Sequence, residues 1–322
     1  MIEPTIWVLT TGEAGMRAQA IGLAEAIGLP FLEKRIVLRR PWRWLPGHLC
    51  PFALQGLSPE GDAIAPPWPD LLISCGRRST AASIAVRRAS GGRTLTVHLQ
   101  NPLTPVSCFD LVVAHPHDGV TGDNVLLVET TIHGATPRKL ADAREAFAAS
   151  LGALPAPRLG VLLGGRTKHG GFSKTDTARL VETLAAHRAR GGGLLITSSR
   201  RTEPQVVAAL TARFAGDPAA YIWNGAGENP YLGILALADR LLVTTDSTSM
   251  VSEALGAGKP VDLFSFSGLG RRHRLFAERL ERLGHVGCPK RPAQPDAPAP
   301  EHAGAVAARR ILALLRERRK EL

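Results

Sequence analysis

Short, continuous apolar runs alternate along the chain with stretches carrying an apolar stripe at helical spacing. Thr5 to Thr10 is a first buried-strand pattern, with Ile6-Trp7-Val8-Leu9 unbroken. Met16 to Ile27 follows with apolar residues at Met16, Ala20, Leu23, Ala24 and Ile27, a helix that Gly28 and Pro30 end. Further strands are expected at Phe31 to Leu38, Asp70 to Ser74, Thr94 to Leu99, Phe109 to Ala114 and Asn124 to Val128, with helices over Thr80 to Ala89 and Leu140 to Leu151. A second series has strands at Leu159 to Leu163, Leu194 to Thr197, Ala220 to Trp223, Leu241 to Val243 and Val261 to Phe264. Its helices run over Lys174 to His187, Glu203 to Phe214, up to Ala238, from the turn at Ser249 to Leu255, and over Arg271 to Leu283. Two successive β/α series predict an α/β protein of two Rossmann-like domains facing across a cleft. The expected division is residues 1–153, then 158–288 after the linker Gly152-Ala153-Leu154-Pro155-Ala156-Pro157, a Pro-rich segment 289–302, and a basic amphipathic helix 303–322.

The 322 residues suffice for two domains, and 44% hydrophobic content suits a globular chain. No apolar run approaches the roughly 18 residues of a bilayer span. The N-terminus lacks a basic region of the secretory kind, so no signal peptide is expected. Cys50, Cys75, Cys108 and Cys288 are scattered without C-x-x-C spacing, which suits reduced thiols of a cytoplasmic protein. A net charge of +11, from 39 Lys and Arg against 28 Asp and Glu, calls for an anionic partner. Aromatics make up 5% and none interleave a basic strand, which speaks against nucleic acid. Two segments bear on an anionic membrane. The loop Arg39 to Leu45 sets Arg39, Arg40 and Arg43 beside Trp42, Trp44 and Leu45, and reads either as a membrane-docking loop or as a capping loop whose tryptophans fold inward. The C-terminal helix places Val306, Ile311, Leu312, Leu314 and Leu315 among Arg309, Arg310, Arg316, Arg318, Arg319 and Lys320, and either lies on such a surface or packs on the body. The corresponding location is cytoplasmic, peripheral at the inner face of the membrane.

Candidate chemistry concentrates after strand ends. Leu241 to Pro260 reads as strand, small polar turn, helix, with Asp246, Ser247 and Ser249 at the helix start and Gly258 and Pro260 closing it. Unpaired N–H groups and the dipole of a helix N-terminus favour an anion, and Glu253, one turn on, suits ribose hydroxyls; the same turn also fits a simple helix cap. Gly164-Gly165-Arg166-Thr167-Lys168-His169-Gly170-Gly171 follows a strand and suggests a phosphate cradle, or a solvated loop. Ser198-Ser199-Arg200-Arg201-Thr202 ends another strand, and Asn229-Pro230-Tyr231 opens a helix. In the first half, Thr11-Gly12-Glu13-Ala14-Gly15 is the first strand-to-helix loop. Arg77 and Arg78 follow the third strand, and Gln100-Asn101-Pro102 the fourth. Neither G-x-G-x-x-G nor G-x-x-x-x-G-K-[ST] is present. His115-Pro116-His117-Asp118 has no third histidine nearby, so no metal is expected.

The pattern Ser247, Ser249, Ser252-Glu253-Ala254, Gly258, Pro260 is similar to the donor-binding segment of GT-B glycosyltransferases, and implies that Ser249 and the Met250 backbone meet the nucleotide diphosphate while Glu253 holds the ribose. W-V-L-T-T-G-E-A-G-M-R-A-Q-A, D-L-L-I-S-C-G-R-R-S, V-H-L-Q-N-P, F-D-L-V-V-A-H-P-H-D, T-S-S-R-R-T, N-P-Y and V-T-T-D-S-T-S-M-V-S-E-A together resemble the elongated-mitochondria (ELM) fission family in its bacterial form, from about Trp7 to Pro260. That resemblance implies a GT-B-like fold.

The resulting expectation is a metal-independent glycosyltransferase with no cofactor, whose substrate is a nucleotide-diphosphate sugar and whose acceptor is membrane-associated. Its nucleotide and phosphate groups would be Gly164, Gly165, Arg166, Ser198, Ser199, Arg200, Asn229, Asp246, Ser247, Ser249, Met250 and Glu253, with Arg200 or Arg201 neutralising the leaving phosphate. The acceptor side would be Gly12, Gly15, Arg77, Gln100 and Asn101, with Glu13 as general base and His133 as second choice. A nucleotide-sugar epimerase and a non-catalytic membrane or division adaptor are the alternatives.

Overall fold

The computed structural model describes residues 3–321 apart from residue 41, and of residues 319–321 the backbone only. Pro41 of the expected docking loop and Leu322 of the terminal helix lie outside the described residues.

Contacts divide the chain into two units, Met1–Gly134 with Glu301–Leu322, and Ala135–Pro300. The first is built on β1 (Ile6–Thr10), α1 (Ala14–Ile27), β2 (Leu32–Arg35), β3 (Leu71–Cys75), α2 (Thr80–Ala89), β4 (Leu95–Leu99), β5 (Leu111–Ala114) and β6 (Val125–Leu127). Its sheet is wholly parallel, in the order β2-β1-β3-β4-β5-β6. Parallel strands covered by helices on both faces must be apolar throughout, and β1, β3 and β4 are buried at every position. The two-residue period divides the load. Ile6, Val8, Leu71 and Ile73 join α1 in one core cluster, while Trp7, Leu9 and Leu72 join Ala82 and Val86 of α2 in another. Strand β2 is shorter than the expected Phe31 to Leu38: Ile36 still donates to the Thr10 carbonyl of β1 at 2.8 Å, but the chain leaves the sheet beyond it. The Val37 carbonyl accepts the Ser58 N–H at 2.7 Å, and Leu38 bridges Leu57 antiparallel.

The second unit contains α3 (Pro137–Leu151), β7 (Arg158–Leu163), α4 (Lys174–Ala189), β8 (Gly193–Ser198), α5 (Pro204–Phe214), β9 (Ala220–Ile222), α6 (Tyr231–Leu237), β10 (Arg240–Thr244), α7 (Thr248–Gly256), β11 (Val261–Phe264) and α8 (Arg271–Arg282). Its sheet, again parallel, runs β11-β10-β7-β8-β9. Leu162, Leu241 and Val243 pack towards α6 and α7, whereas Val161, Leu163 and Leu242 pack towards α4 and α5. Two parallel sheets with covering helices make this an α/β protein of two Rossmann-like units, as its β/α alternation predicts.

The boundaries differ from those expected at 153 and 158. Thr136 caps α3 by accepting the Lys139 N–H, with Pro137 in the first turn. The helix then packs on α6 so closely that a Cβ on Gly233 would lie 2.6 Å from the Phe147 ring. Helix α3 therefore opens the second unit rather than closing the first. The terminal helix α9 (Ala303–Glu321) returns to the first unit. Ala303, Ala307, Ala308, Ile311 and Leu315 are buried with α1, and Arg318 reaches Asp110 at 2.9 Å. Its apolar stripe is consumed in the core, so of the two expected readings this helix takes the one that packs on the body.

Candidate functional site

The order of the second sheet reverses between β7 and β10, and open α/β sheets bind ligands where the carboxyl ends of such strands part. Asp246 stands there, after β10, with its side chain fully buried. Its Oδ2 accepts the Gly165 N–H at 2.9 Å and pairs with Arg201 at 2.8 Å; its Oδ1 accepts the Thr244 hydroxyl at 2.7 Å. The Thr244 oxygen in turn accepts the Gly164 N–H at 2.7 Å. Ser199, just past β8, donates its hydroxyl to the Gly164 carbonyl at 3.1 Å. Three loops are thus joined around one carboxylate.

The glycines are required by this closeness. A Cβ on Gly164 would lie 2.2 Å from the Asp246 carboxylate oxygens, and one on Gly165 would lie 1.9 Å from the Arg201 carbonyl. The N–H groups of Gly164 and Gly165 are spent on Thr244 and Asp246, and that of Arg166 on the Arg201 carbonyl at 2.9 Å. The first three amides of the loop are therefore engaged within the fold, and its exposed polar groups there are side-chain cations. Arg166, Lys168, Arg200 and Arg201 are exposed, while Ser198 ends β8 half-buried.

Helix α7 starts at the same edge. Ser247 caps it, accepting the Met250 N–H at 3.3 Å, with Ser249 half-buried in the first turn. One turn on, the half-buried Glu253 accepts a hydrogen bond from the Tyr231 hydroxyl. Burial raises the Glu253 pKa and the Tyr231 bond opposes the rise; burial and the Glu253 charge push the phenol well above its usual range. Asn229 does not face a ligand through its side-chain oxygen, which accepts the Tyr231 N–H at 3.1 Å and sets the start of α6.

His273, in the first turn of α8, was not singled out by sequence. Its buried Nδ1 has no hydrogen-bond partner among the described residues. Burial lowers its pKa, the Asp246 carboxylate raises it, and Arg272, Arg201 and His169 lower it, so the ring shares its field with the Asp246 cluster. The glycine loop reaches α8 as well: Thr167 donates to the Gly268 carbonyl at 2.8 Å, and a Cβ on Gly270 would lie 2.4 Å from the His169 ring. The visible signal is Gly268-Leu269-Gly270 followed by Arg-Arg-His-Arg at a helix start.

The first unit has its own switch point between β1 and β3. Gly12, with φ of +89°, turns the chain out of β1. Glu13 stands at the N-cap position of α1, and its carboxylate is shared between the Arg78 guanidinium and the Thr11 hydroxyl. Gly15 lies in the first turn of α1, and Arg77 follows β3, donating to the Trp44 carbonyl at 2.8 Å. Gln100 and Asn101 are half-buried and tie elements together: Gln100 donates to Gln19 of α1 at 3.1 Å and Asn101 to the Asp118 carbonyl at 3.3 Å. His133 is 3% exposed, its ring packed edge-on against His302 at 4.7 Å, and burial, aided by His302, lowers its pKa to about 4. A sequestered ring cannot exchange protons with a substrate, so His133 is withdrawn as second-choice base. His115 and His117 stack at 5.1 Å, and among the described residues no group of three or more His, Cys, Asp or Glu is arranged to hold a metal ion.

Comparison with known proteins bears on the family and the fold. The family described as "Mitochondrial fission ELM1" matches residues 14–315. The Arabidopsis thaliana "Mitochondrial fission protein ELM1" is 29% identical over 216 residues, covering 60% of this chain and 51% of the plant protein, so the match spans about half the length of that relative. A Rickettsia prowazekii protein, "Uncharacterized protein RP120", is 26% identical over 325 residues, covering 85% of this chain and 87% of its own. Among solved structures, the UDP-GlcNAc 2-epimerase of Methanocaldococcus jannaschii superposes with a TM-score of 0.51 at 13% identity, covering 96% of this chain and 99% of that one. The likeness establishes the GT-B-like fold.

Proposed function

The chain belongs to the mitochondrial fission ELM1 family, and from that premise we propose that it is a nucleotide-sugar enzyme, a metal-independent glycosyltransferase whose second unit binds the donor. The observation that carries this reading is the convergence at the β7/β10 switch point of the capped α7 start, the Asp246–Arg201 pair and Glu253 one turn beyond. The Ser249 and Met250 end of α7 meets the diphosphate, and Glu253 takes the ribose hydroxyls with the lone pairs that Tyr231 leaves. Arg201, with exposed Arg166 and Arg200, neutralises the phosphate that departs, the work a divalent cation does elsewhere. Glu13, in the first unit, accepts the proton of the acceptor hydroxyl. The loop carrying Trp44, 61% exposed, with Arg40 stacked on its ring at 5.2 Å, docks at an anionic membrane and makes the enzyme peripheral. Among the described residues no helix is long and apolar enough to cross a membrane.

One observation favours epimerisation as a second reading: the half-buried His273 ring, whose Nδ1 has no hydrogen-bond partner among the described residues, lies in the field of the Asp246 cluster and offers a proton-transfer group within the second unit. The fold likeness to the M. jannaschii 2-epimerase is compatible with either activity. Turnover of UDP-GlcNAc with no acceptor present identifies the epimerase.

The experiment is a thermal-shift series with UDP, GDP, CMP, ADP and dTDP and their sugars. A ligand at one hundred times its Kd stabilises the native state by about 2.7 kcal/mol, which raises the melting temperature by several degrees. One nucleotide should do so, and Glu253→Ala should weaken its binding by about tenfold or more, the loss of one or two charge-assisted hydrogen bonds, with the unliganded fold intact. Equal shifts in wild type and Glu253→Ala sink the ribose assignment. Absence of any shift moves the family member to the adaptor role.

A further inference from the structure

The first unit contains a cavity of about 480 Å³ lined by Glu13, Arg40, Arg43, Trp44, Arg77 and Arg78. Four guanidinium groups thus face a single carboxylate. Two stretches far apart in sequence build it. Arg77 and Arg78 form the 3-10 turn that follows β3, at the sheet's switch point. Arg40, Arg43 and Trp44 come from the loop after β2, which the Arg77 bond to the Trp44 carbonyl ties to the turn after β3, and within the loop Arg40 lies over the Trp44 ring. Glu13 takes Arg78. The Arg43 side chain is exposed at the cavity wall.

Clustering four like charges around a hollow costs repulsion that an anion relieves. Guanidinium groups bind phosphate oxygens bidentately, which rewards two or more planar forks around one group more than scattered lysines would. The volume suits a phosphate or diphosphate with part of the group it is attached to. The exposed indole of Trp44 at the rim, followed in sequence by the exposed Leu45 and Leu49, suits an attached apolar chain.

We propose that this cavity is a binding site for a phosphate or diphosphate group, the anionic head of the molecule on which the first unit acts. The inference rests on the reading above in naming the acceptor side, but its test contains no nucleotide, so failure here and failure of the donor site are separate results.

The full chain is titrated with sodium pyrophosphate by calorimetry, and in parallel sedimented with phosphatidylcholine vesicles with and without phosphatidic acid. The variants are Arg43→Gln, Arg40→Gln with Arg43→Gln, Trp44→Ala, and Arg190→Gln, just past the end of α4, as a charge-matched control for the single variant. Pyrophosphate should bind, and Kd should rise by about tenfold in Arg43→Gln and further in the double variant, with the control unchanged. If the group arrives on a lipid, phosphatidic acid vesicles bind more tightly than pyrophosphate and Trp44→Ala loses the vesicles while keeping pyrophosphate. If it arrives on a soluble molecule, pyrophosphate binds and the vesicles do not. No binding of either ligand overturns the proposal, as does an equal loss in Arg190→Gln, which would reduce the effect to overall charge.

Discussion

Asp246→Ala should destabilise the second unit by about 3–5 kcal/mol, the cost of removing one partner from a buried charge pair. Three groups lose their acceptor at once: the Gly165 N–H, the Thr244 hydroxyl and the Arg201 guanidinium. The first two are buried, and an unsatisfied buried donor carries its own desolvation cost of about 1–3 kcal/mol. Arg201 is 44% exposed and can turn to water, which keeps the total from rising further. Asp246→Asn retains an acceptor oxygen and the shape, and should cost about half as much. Urea unfolding read by amide exchange at β7 and β10 reports this unit separately from the other. A loss below about 1 kcal/mol for the alanine variant would mean that water replaces the carboxylate and that the loops are not held by it. The same carboxylate that orders the loops also fixes Arg201 at the proposed phosphate, so Asp246→Asn should weaken nucleotide binding more than its stability loss suggests.

The strand–turn–helix from Leu241 to Pro260 was legible because its signals are local: a continuous apolar run, a small polar turn, a capping serine and a terminating glycine. The alternation that yields two parallel sheets was legible for the same reason. What could not be read depends on partners distant in sequence. The apolar stripe of α9 is the same pattern whether it meets lipid or α1, and only the fold supplies Ala20 and Leu23 as its neighbours. The glycines at 164 and 165 read as a phosphate cradle, yet glycine serves close approach equally well, and the approaching groups are 82 and 36 residues away at Asp246 and Arg201. Asn229-Pro230-Tyr231 was recognised as a helix start, while the hydrogen bond from Tyr231 to Glu253 links it to the very residue assigned to ribose. His133 was plausible as a base only while its burial against His302 was unknown.

Between pH 7 and pH 5 the first unit should lose about 4 kcal/mol of stability, and two buried histidines carry the loss. His98 is wholly buried, its Nδ1 bonded to Ser74 at 2.9 Å and its ring against Phe109, and burial lowers its pKa to about 3. His133 is lowered to about 4 by burial and by the neighbouring His302. Both are neutral in the folded chain throughout this range, whereas an unfolded histidine titrates near 6.5. Below about pH 6.5 the unfolded state therefore binds more protons than the folded one, and acid favours unfolding. Each histidine gives a slope approaching 1.4 kcal/mol per pH unit, which amounts to about 2 kcal/mol by pH 5, and the effect levels off only as pH falls through the folded values near 4 and 3. Urea midpoints measured from pH 7.5 to pH 4.5 on the intact chain, with exchange at β4 amides as the readout, should fall with that slope. His133→Gln should remove about half of it, because glutamine does not titrate, whatever it does to stability at pH 7. A flat profile in wild type would show that both rings reach water in the folded state, and would reopen His133 as a group able to exchange protons with a ligand.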